Sequence, residues 1–231
     1  MQTFIEHGPA FAWLRVQLAA GETIRAEAGA MVRRSGDIQM ETRLNAGFSP
    51  SVFRLIWAFL VALMRKILGN ETMFINDFSA TTAGEVVLAP TFSGNITQKS
   101  LSAGQTLFVQ TGGYLASTGS VDMRLRFGGL RSFFGGEGLV LLECSGQGDV
   151  FVNSYGGVVA VPVNGRFIVD TGHIVAFDGA LDFRVRSVGG AKSFFFSGEG
   201  LVCEFNGQGT VYIQSRNINA LVGWVTPLLP G

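Results

Sequence analysis

Apolar and polar residues alternate with a period of two over many short stretches of this chain. Residues 121–126 read Val-Asp-Met-Arg-Leu-Arg, and residues 181–186 read Leu-Asp-Phe-Arg-Val-Arg. This alternation is typical of a strand that buries one face and exposes the other. Glycines at near-regular intervals mark tight turns between such stretches. The pattern predicts an all-β fold of many short strands.

Three tandem copies of one unit account for the order of these stretches. Each copy carries a set of five residues at the same spacing. The sets are Gly21, Gly29, Gly36, Met40 and Arg43; Gly104, Gly112, Gly119, Met123 and Arg126; and Asn164, Gly172, Gly179, Phe183 and Arg186. Because one unit cannot bury its own apolar face, we expect the copies to close around a shared core with pseudo-three-fold symmetry. The prediction is a single domain, residues 1–231, with internal repeats at about 10–90, 91–160 and 161–224.

An apolar segment in the first repeat departs from the strand pattern. Arg43 and Glu71 are 28 positions apart, whereas Arg126 and Glu137 are 11 apart, so the first repeat carries 17 additional residues. Cations near the end of this segment and a glycine after it are helix-termination signals, and they predict one inserted helix within residues 50–68. Its central stretch, 55–64, is apolar without interruption, so this helix has no polar face there.

The apolar stretch of the inserted helix is too short to cross a bilayer. Ten residues at about 1.5 Å each cover about half of a ~30 Å hydrocarbon core. Its large side chains need a partner, which is either protein or the membrane interface. We predict a subunit contact, because a net-neutral chain lacks the polybasic attraction that assists membrane binding. Insertion of the 52–68 helix into the bilayer interface is the alternative. The predicted contact residues are Leu55, Ile56, Trp57, Phe59, Leu60, Val61, Leu63 and Met64.

Composition and charge limit the classes of partner. Hydrophobic residues make up 47% of the chain and charged residues only 15%, with a mean hydropathy of +0.34. Such an apolar chain favours a large interface or a membrane contact. The 17 basic and 17 acidic residues balance, so no net charge attracts nucleic acid. The N-terminus has no basic region followed by an apolar one, which predicts a cytoplasmic protein, with membrane association as the alternative.

Charged residues that recur in the repeats have two interpretations. Acidic pairs near a three-fold axis are suited to a cation, whereas acids opposite arginines on neighbouring strands form cross-strand ion pairs. Repetition favours the ion pairs, because active sites usually break internal symmetry. The acids are Glu71 with Asp77, Glu137 with Glu143, and Glu199 with Glu204; the arginines opposite them are Arg43, Arg126 and Arg186. With Arg124 and Arg184 the arginines also form short basic stripes, but acids on the same faces and scarce aromatics argue against nucleic-acid binding.

Sequence templates for catalysis do not match. The chain has no Gly-x-Ser-x-Gly motif, and residues 190–193 lack the glycines of a phosphate-binding loop. His7 and His173 have no second ligand at a metal-binding spacing. Cys144 and Cys203 are expected to be buried, inert thiols. We predict that the protein is not an enzyme and holds no metal or cofactor.

The glycine spacing resembles that of a known family. The spacing from Gly21 to Gly36 and the Gly-Gln-Gly turns at 146–148 and 207–209 together resemble uncharacterised bacterial proteins related to the mitochondrial biogenesis AIM proteins of fungi. The resemblance covers nearly the whole chain. It implies a β-rich fold similar to the tryptophan RNA-binding attenuator protein (TRAP-like), with double-stranded β-helix-like units and homo-oligomeric assembly. It brings no catalytic residues, and the association of mitochondrial relatives with inner-membrane organisation favours a membrane role for the 52–68 helix.

The sequence thus predicts a non-enzymatic, homo-oligomeric β scaffold that serves as an interaction or small-ligand-binding module. The alternative is a peripheral membrane protein related to membrane organisation, and a third hypothesis is nucleic-acid binding by fold analogy. The predicted partners are other copies of the chain and, in the alternative, a membrane surface.

Overall fold

The computed structural model describes residues 1–44, 74–128, 139–187 and 201–229, and this part of the chain is predominantly β. It contains seventeen strands and one α-helix. The strands are β1 (Gln2–Glu6), β2 (Trp13–Leu18), β3 (Thr23–Glu27), β4 (Met31–Ser35), β5 (Ile38–Leu44), β6 (Phe74–Ala80), β7 (Gly84–Leu88), β8 (Ile96–Leu101), β9 (Thr106–Gln110), β10 (Tyr114–Thr118), β11 (Val121–Gly128), β12 (Leu139–Gly146), β13 (Gly148–Asn153), β14 (Val158–Asp170), β15 (Ile174–Asp178), β16 (Asp182–Ser187) and β17 (Leu201–Gln214). Helix α1 (Ile218–Val225) follows the last strand. The predicted β-rich class is confirmed.

The strands form three antiparallel sheets. The first has the order β1-β2-β7-β4, and the second has the order β5-β6-β3-β10-β13-β8. The third has the order β11-β12-β9-β15-β17-β14, with β16 also paired to β17. The second and third sheets are each built from strands of two neighbouring parts of the chain, so the sheets tie those parts together.

One order of strand pairing is found three times along the chain. In the first third, β2-β7-β4 and β5-β6-β3 are the two sets of neighbours. In the second third they are β8-β13-β10 and β11-β12-β9. In the last third, the long strands β14 and β17 contribute to both sets, and β15 and β16 pair with β17.

Two junctions link these thirds. Strand β3 pairs with β10, and strand β9 pairs with β15. By the same order a third junction would join β4 to residues 166–170 of β14, but the two strands are not paired in the described part of the chain. The symmetric three-fold repeat, the single-domain boundaries and the TRAP-like arrangement therefore stay predictions.

The last third differs from the other two because its strands β14 and β17 continue without a break where the chain turns in the first two thirds. In the first two thirds the chain turns at residues 19–22 and 102–105, and a side chain closes each turn. The amide of Ala19 donates to the Glu22 carboxylate at 2.8 Å, and that of Ser102 donates to Gln105 at 2.9 Å. The corresponding residue in the repeat spacing is Gly165, which has no side-chain acceptor. Strand β14 continues through it as one ladder with β17.

Buried side chains form three clusters, each mainly from one third of the chain. The predicted alternation is confirmed in β11, where Val121 and Met123 are buried and Arg124 is exposed. Among the described residues, four phenylalanines are fully buried: Phe78, Phe151, Phe177 and Phe205. The strands therefore present their apolar faces inward and their charged faces to solvent.

The predicted inserted helix, residues 50–68, lies outside the described residues. Among the residues that the structure describes, no helix is long and apolar enough to cross a membrane.

Candidate functional site

The repeated acids and arginines form ion pairs between neighbouring strands of the sheets. Arg43 lies 3.2 Å from Asp77 on the neighbouring strand, and Arg186 lies 2.8 Å from Glu204. Arg126 forms the equivalent ion pair with Glu143. The ion-pair interpretation is therefore confirmed for these three carboxylates. The other three acids, Glu71, Glu137 and Glu199, lie outside the described residues.

Two of the three carboxylates hold a second arginine. Asp77 accepts from Arg25 at 2.8 Å, and Glu204 accepts from Arg166 at 2.7 Å. The hydrogen bond from Arg166, assisted by the charge of Arg186, holds the pKa of Glu204 below its ordinary value. A carboxylate held this way stays ionised and keeps its guanidinium partners, which suits it to bracing a sheet.

The first sheet carries a chain of charges that crosses all four of its strands. Arg15 lies 2.8 Å from Glu6 and 3.3 Å from Glu85, and Glu85 lies 2.7 Å from Arg33. The guanidinium of Arg15 also lies 4.2 Å above the ring of Phe4. Burial raises the pKa of Glu85, but hydrogen bonds from the two arginines outweigh it, and the net shift is downward. This face is ordered by ion pairs.

The arrangement of charges favours binding and bracing over acid-base chemistry. Proton transfer near neutral pH needs a carboxyl group whose pKa is raised, whereas Glu6, Glu85 and Glu204 are shifted the other way. Among the described residues no group of three or more metal-ligating side chains lies together.

The cysteines and histidines take structural positions. Cys144 and Cys203 are buried free thiols, as expected, and burial raises the pKa of each to about 12. His7 packs edge-on against Trp13, with ring centroids 4.7 Å apart. A ring nitrogen of His173, Nδ1, lies 2.7 Å from the carbonyl oxygen of Gln214. Thiols with such pKa values are almost fully protonated at neutral pH and are poor nucleophiles.

The sequence analysis did not predict an exposed apolar segment that lies at the C-terminal end of the described residues. Residues 217–229 contain no charged side chain. Within this segment Trp224 is 69% exposed and Leu228 is 68% exposed. Asn217 begins the helix by accepting hydrogen bonds from two amides of its first turn. The available signal was this capping asparagine before an apolar run that ends at Thr226 and Pro227. We define residues 218–229 as the C-terminal apolar segment.

The predicted contact residues of the inserted helix belong to a different part of the chain. Leu55, Ile56, Trp57, Phe59, Leu60, Val61, Leu63 and Met64 all lie outside the described residues. The most exposed of the large apolar side chains that the structure describes lie in the loop before β2 and in the C-terminal apolar segment. Phe11, in the loop before β2, is 74% exposed.

Two outer strands of the sheets occupy the positions of the third junction and are not paired with each other in the described part of the chain. The first is β4, all five residues of which are exposed. The second is formed by residues 166–170 of β14, where Ile168 is 43% exposed. The corresponding strands at the two junctions, β10 and β15, each have four buried residues out of five. We call these the β4 edge and the β14 edge.

Comparisons with known proteins identify relatives over the full chain. The sequence model of the family described as mitochondrial biogenesis AIM24 matches residues 4–216. An uncharacterized protein of Streptococcus pyogenes serotype M6 is 28% identical over 233 aligned positions, which cover 100% of this chain and 92% of that protein. A crystal structure of a Streptococcus pyogenes protein superposes with a TM-score of 0.80 at 25% identity, and the match covers 99% of both chains. The C-terminal apolar segment follows the range that the family model matches.

Proposed function

The chain belongs to the mitochondrial biogenesis AIM24 family, and on that premise we propose that it is a non-enzymatic, homo-oligomeric β scaffold of the cytoplasm. It acts as an interaction or small-ligand-binding module. Its surface makes contacts, and its charged side chains keep the sheets in shape.

One observation carries this proposal: the surface displays large apolar groups while many of its charges are bound to each other. Phe11 and Trp224 each expose more than two thirds of their area. Recurring acids such as Asp77 and Glu204 are each held by two arginines. Exposed apolar groups beside neutralised charges are typical of surfaces that meet another macromolecule.

Native mass spectrometry of the full chain tests the assembly. We expect an oligomer, and we expect Trp57→Glu with Val61→Glu to reduce it to the monomer while circular dichroism still shows a β fold. The matched control is Val159→Glu, an exposed apolar position on β14. A natural chain that is monomeric at micromolar concentration overturns the oligomer. A substrate turnover that one polar substitution abolishes overturns the non-enzymatic assignment.

The C-terminal apolar segment favours one alternative, a peripheral membrane protein. An uncharged segment with an exposed tryptophan fits the boundary between headgroups and acyl chains. Flotation with phosphatidylcholine vesicles, with and without phosphatidylserine, measures this binding. Loss of flotation in Trp224→Glu with Leu228→Glu, at unchanged native mass, supports the membrane role. An absence of flotation in the natural chain refutes it.

A further inference from the structure

We propose that the β4 edge of one chain pairs with the β14 edge of a second copy, as an antiparallel strand junction. This inference rests on the proposed homo-oligomer and names the surface that forms it. Each chain carries both halves of the junction, so every copy both offers and receives a strand.

The register of the proposed junction follows from the two junctions inside the chain. Ala116 lies opposite Ala26 where β10 meets β3, and Ala176 lies opposite Val109 where β15 meets β9. The repeat spacing relates positions 33, 116 and 176 on one side, and positions 26, 109 and 169 on the other. The same register therefore places Arg33 opposite Val169, Arg34 opposite Ile168 and Ser35 opposite Phe167.

Both edges are more exposed than their counterparts at the two junctions inside the chain. Ser117 on β10 and Phe177 on β15 have no exposed area, whereas Arg34 at the same repeat position is exposed. On the β14 edge, Ile168 is 43% exposed, whereas its counterparts Phe108 and Arg25 are half-buried. An open strand presents unpaired N–H and C=O groups in a row, and a matching strand satisfies them.

Charge on the two edges is complementary. Within the described residues, Arg34 has no carboxylate within ion-pair distance and donates only to the Ile38 carbonyl at 2.9 Å. Asp170 likewise has no cationic partner and accepts from the Gly172 amide at 2.6 Å. The proposed register puts Arg34 and Asp170 in diagonal positions, where long side chains reach each other. Arg166, on the other diagonal, is already bound to Glu204.

A second copy of the chain is the occupant that these features specify. The register, the apolar residue opposite an arginine and the diagonal acid all come from this sequence. Because β4 and β14 are different surfaces, the contact is head-to-tail, and repeated contacts either close a ring or extend a filament. The number of chains in the assembly then follows from the angle between the two edges.

Charge substitutions at one exposed position test the interface. Ile168→Lys places a lysine opposite Arg34, and we expect it to weaken association about tenfold or more, because like charges directly opposite on paired strands repel. Val159→Lys, on the same strand and 54% exposed, is the matched control and should leave association unchanged. Adding Arg34→Glu to Ile168→Lys restores an attractive pair and should restore association. Analytical ultracentrifugation over a concentration series measures each constant.

The outcomes separate this inference from the proposed function. A monomeric natural chain overturns both. An oligomer that Ile168→Lys leaves intact overturns only the β4–β14 interface, and the homo-oligomer stands on another surface.

Disulfide trapping distinguishes pairing between chains from closure within one chain. Arg34→Cys and Ile168→Cys are made in separate, differently tagged chains and mixed under mild oxidation; the native thiols are buried. We expect a disulfide between the two tags. Chains with Arg34→Cys mixed with Val159→Cys are the out-of-register control. A double variant that yields only an intrachain disulfide, with no cross-link in the mixture, overturns the proposal in favour of a closed monomer.

Discussion

Phe177 is predicted to be one of the most costly single side chains to remove from this protein. It has no exposed area and lies on β15, at the junction with β9. Its ring centroid lies 5.2 Å from that of Phe108 and 4.9 Å from those of Phe183 and Phe205. Phe177→Ala therefore removes apolar burial and three ring contacts at once.

The expected magnitude follows from these contacts. Truncation of a buried phenylalanine to alanine costs about 3–5 kcal/mol of unfolding free energy. Ring pairs add about 0.5–1.5 kcal/mol each beyond area burial, which places Phe177→Ala toward the upper part of that range. For a domain whose total stability is about 5–15 kcal/mol, the loss is a large fraction of the whole.

Urea unfolding followed by circular dichroism and tryptophan fluorescence measures the change. Phe183→Ala is the matched control, because Phe183 contacts the same ring but is only partly buried. We expect it to lose about half as much stability as Phe177→Ala. A loss below about 1 kcal/mol for Phe177→Ala, or a larger loss for Phe183→Ala, refutes the idea that this ring cluster fixes the junction.

Three further predictions concern strand faces, pH and thiols. Met123→Asp should prevent cooperative folding, because it buries a charge. Arg124→Ala, on the opposite face of β11, should lower the free energy of unfolding by under ~1 kcal/mol. Thermal melts compare the two variants, and the reverse order of stability would mean that the buried and exposed faces are inverted. The folded-state pKa of Glu204 is lowered, so its stabilisation is present above the ordinary carboxyl pKa and lost as pH falls through the folded value. The melting temperatures of the natural chain and Glu204→Gln should therefore converge in acid; a constant gap contradicts this. Cys144 and Cys203 should not react with a thiol reagent at pH 7–8 until the chain unfolds. Mass spectrometry counts the labels per chain, and rapid labelling of the folded chain would contradict the burial of these thiols.

The strand class and the strand faces could be predicted because they are local. The alternation at residues 121–126 needs only one buried face, and the structure places Val121 and Met123 inside. The ion pair between Arg126 and Glu143 was equally accessible, since each residue recurs at the same position of the repeat. Periodicity and repetition carry this information without reference to distant contacts.

The β4 edge, the β14 edge and the C-terminal apolar segment could not be predicted, because they depend on properties that the repeats do not encode. A three-fold repeat implies three equal junctions, yet β4 and β14 are not paired with each other in the described residues. Whether a third junction closes depends on how the twists of the sheets add up, which no local pattern records. The C-terminal apolar segment lies after the last repeat, so a search for repeats passes over it.

The long ribbon of β14 and β17 determines how the molecule can open. Thirteen consecutive residue pairs join the two strands, and no turn divides them. The first two thirds, by contrast, are divided at turns 19–22 and 102–105 and can fray one half at a time. Amide hydrogen exchange in the middle of the ribbon should therefore require the most extensive unfolding. Helix α1 is attached at the end of this ribbon, so a load applied to the C-terminal segment is transmitted to the part of the protein that opens last.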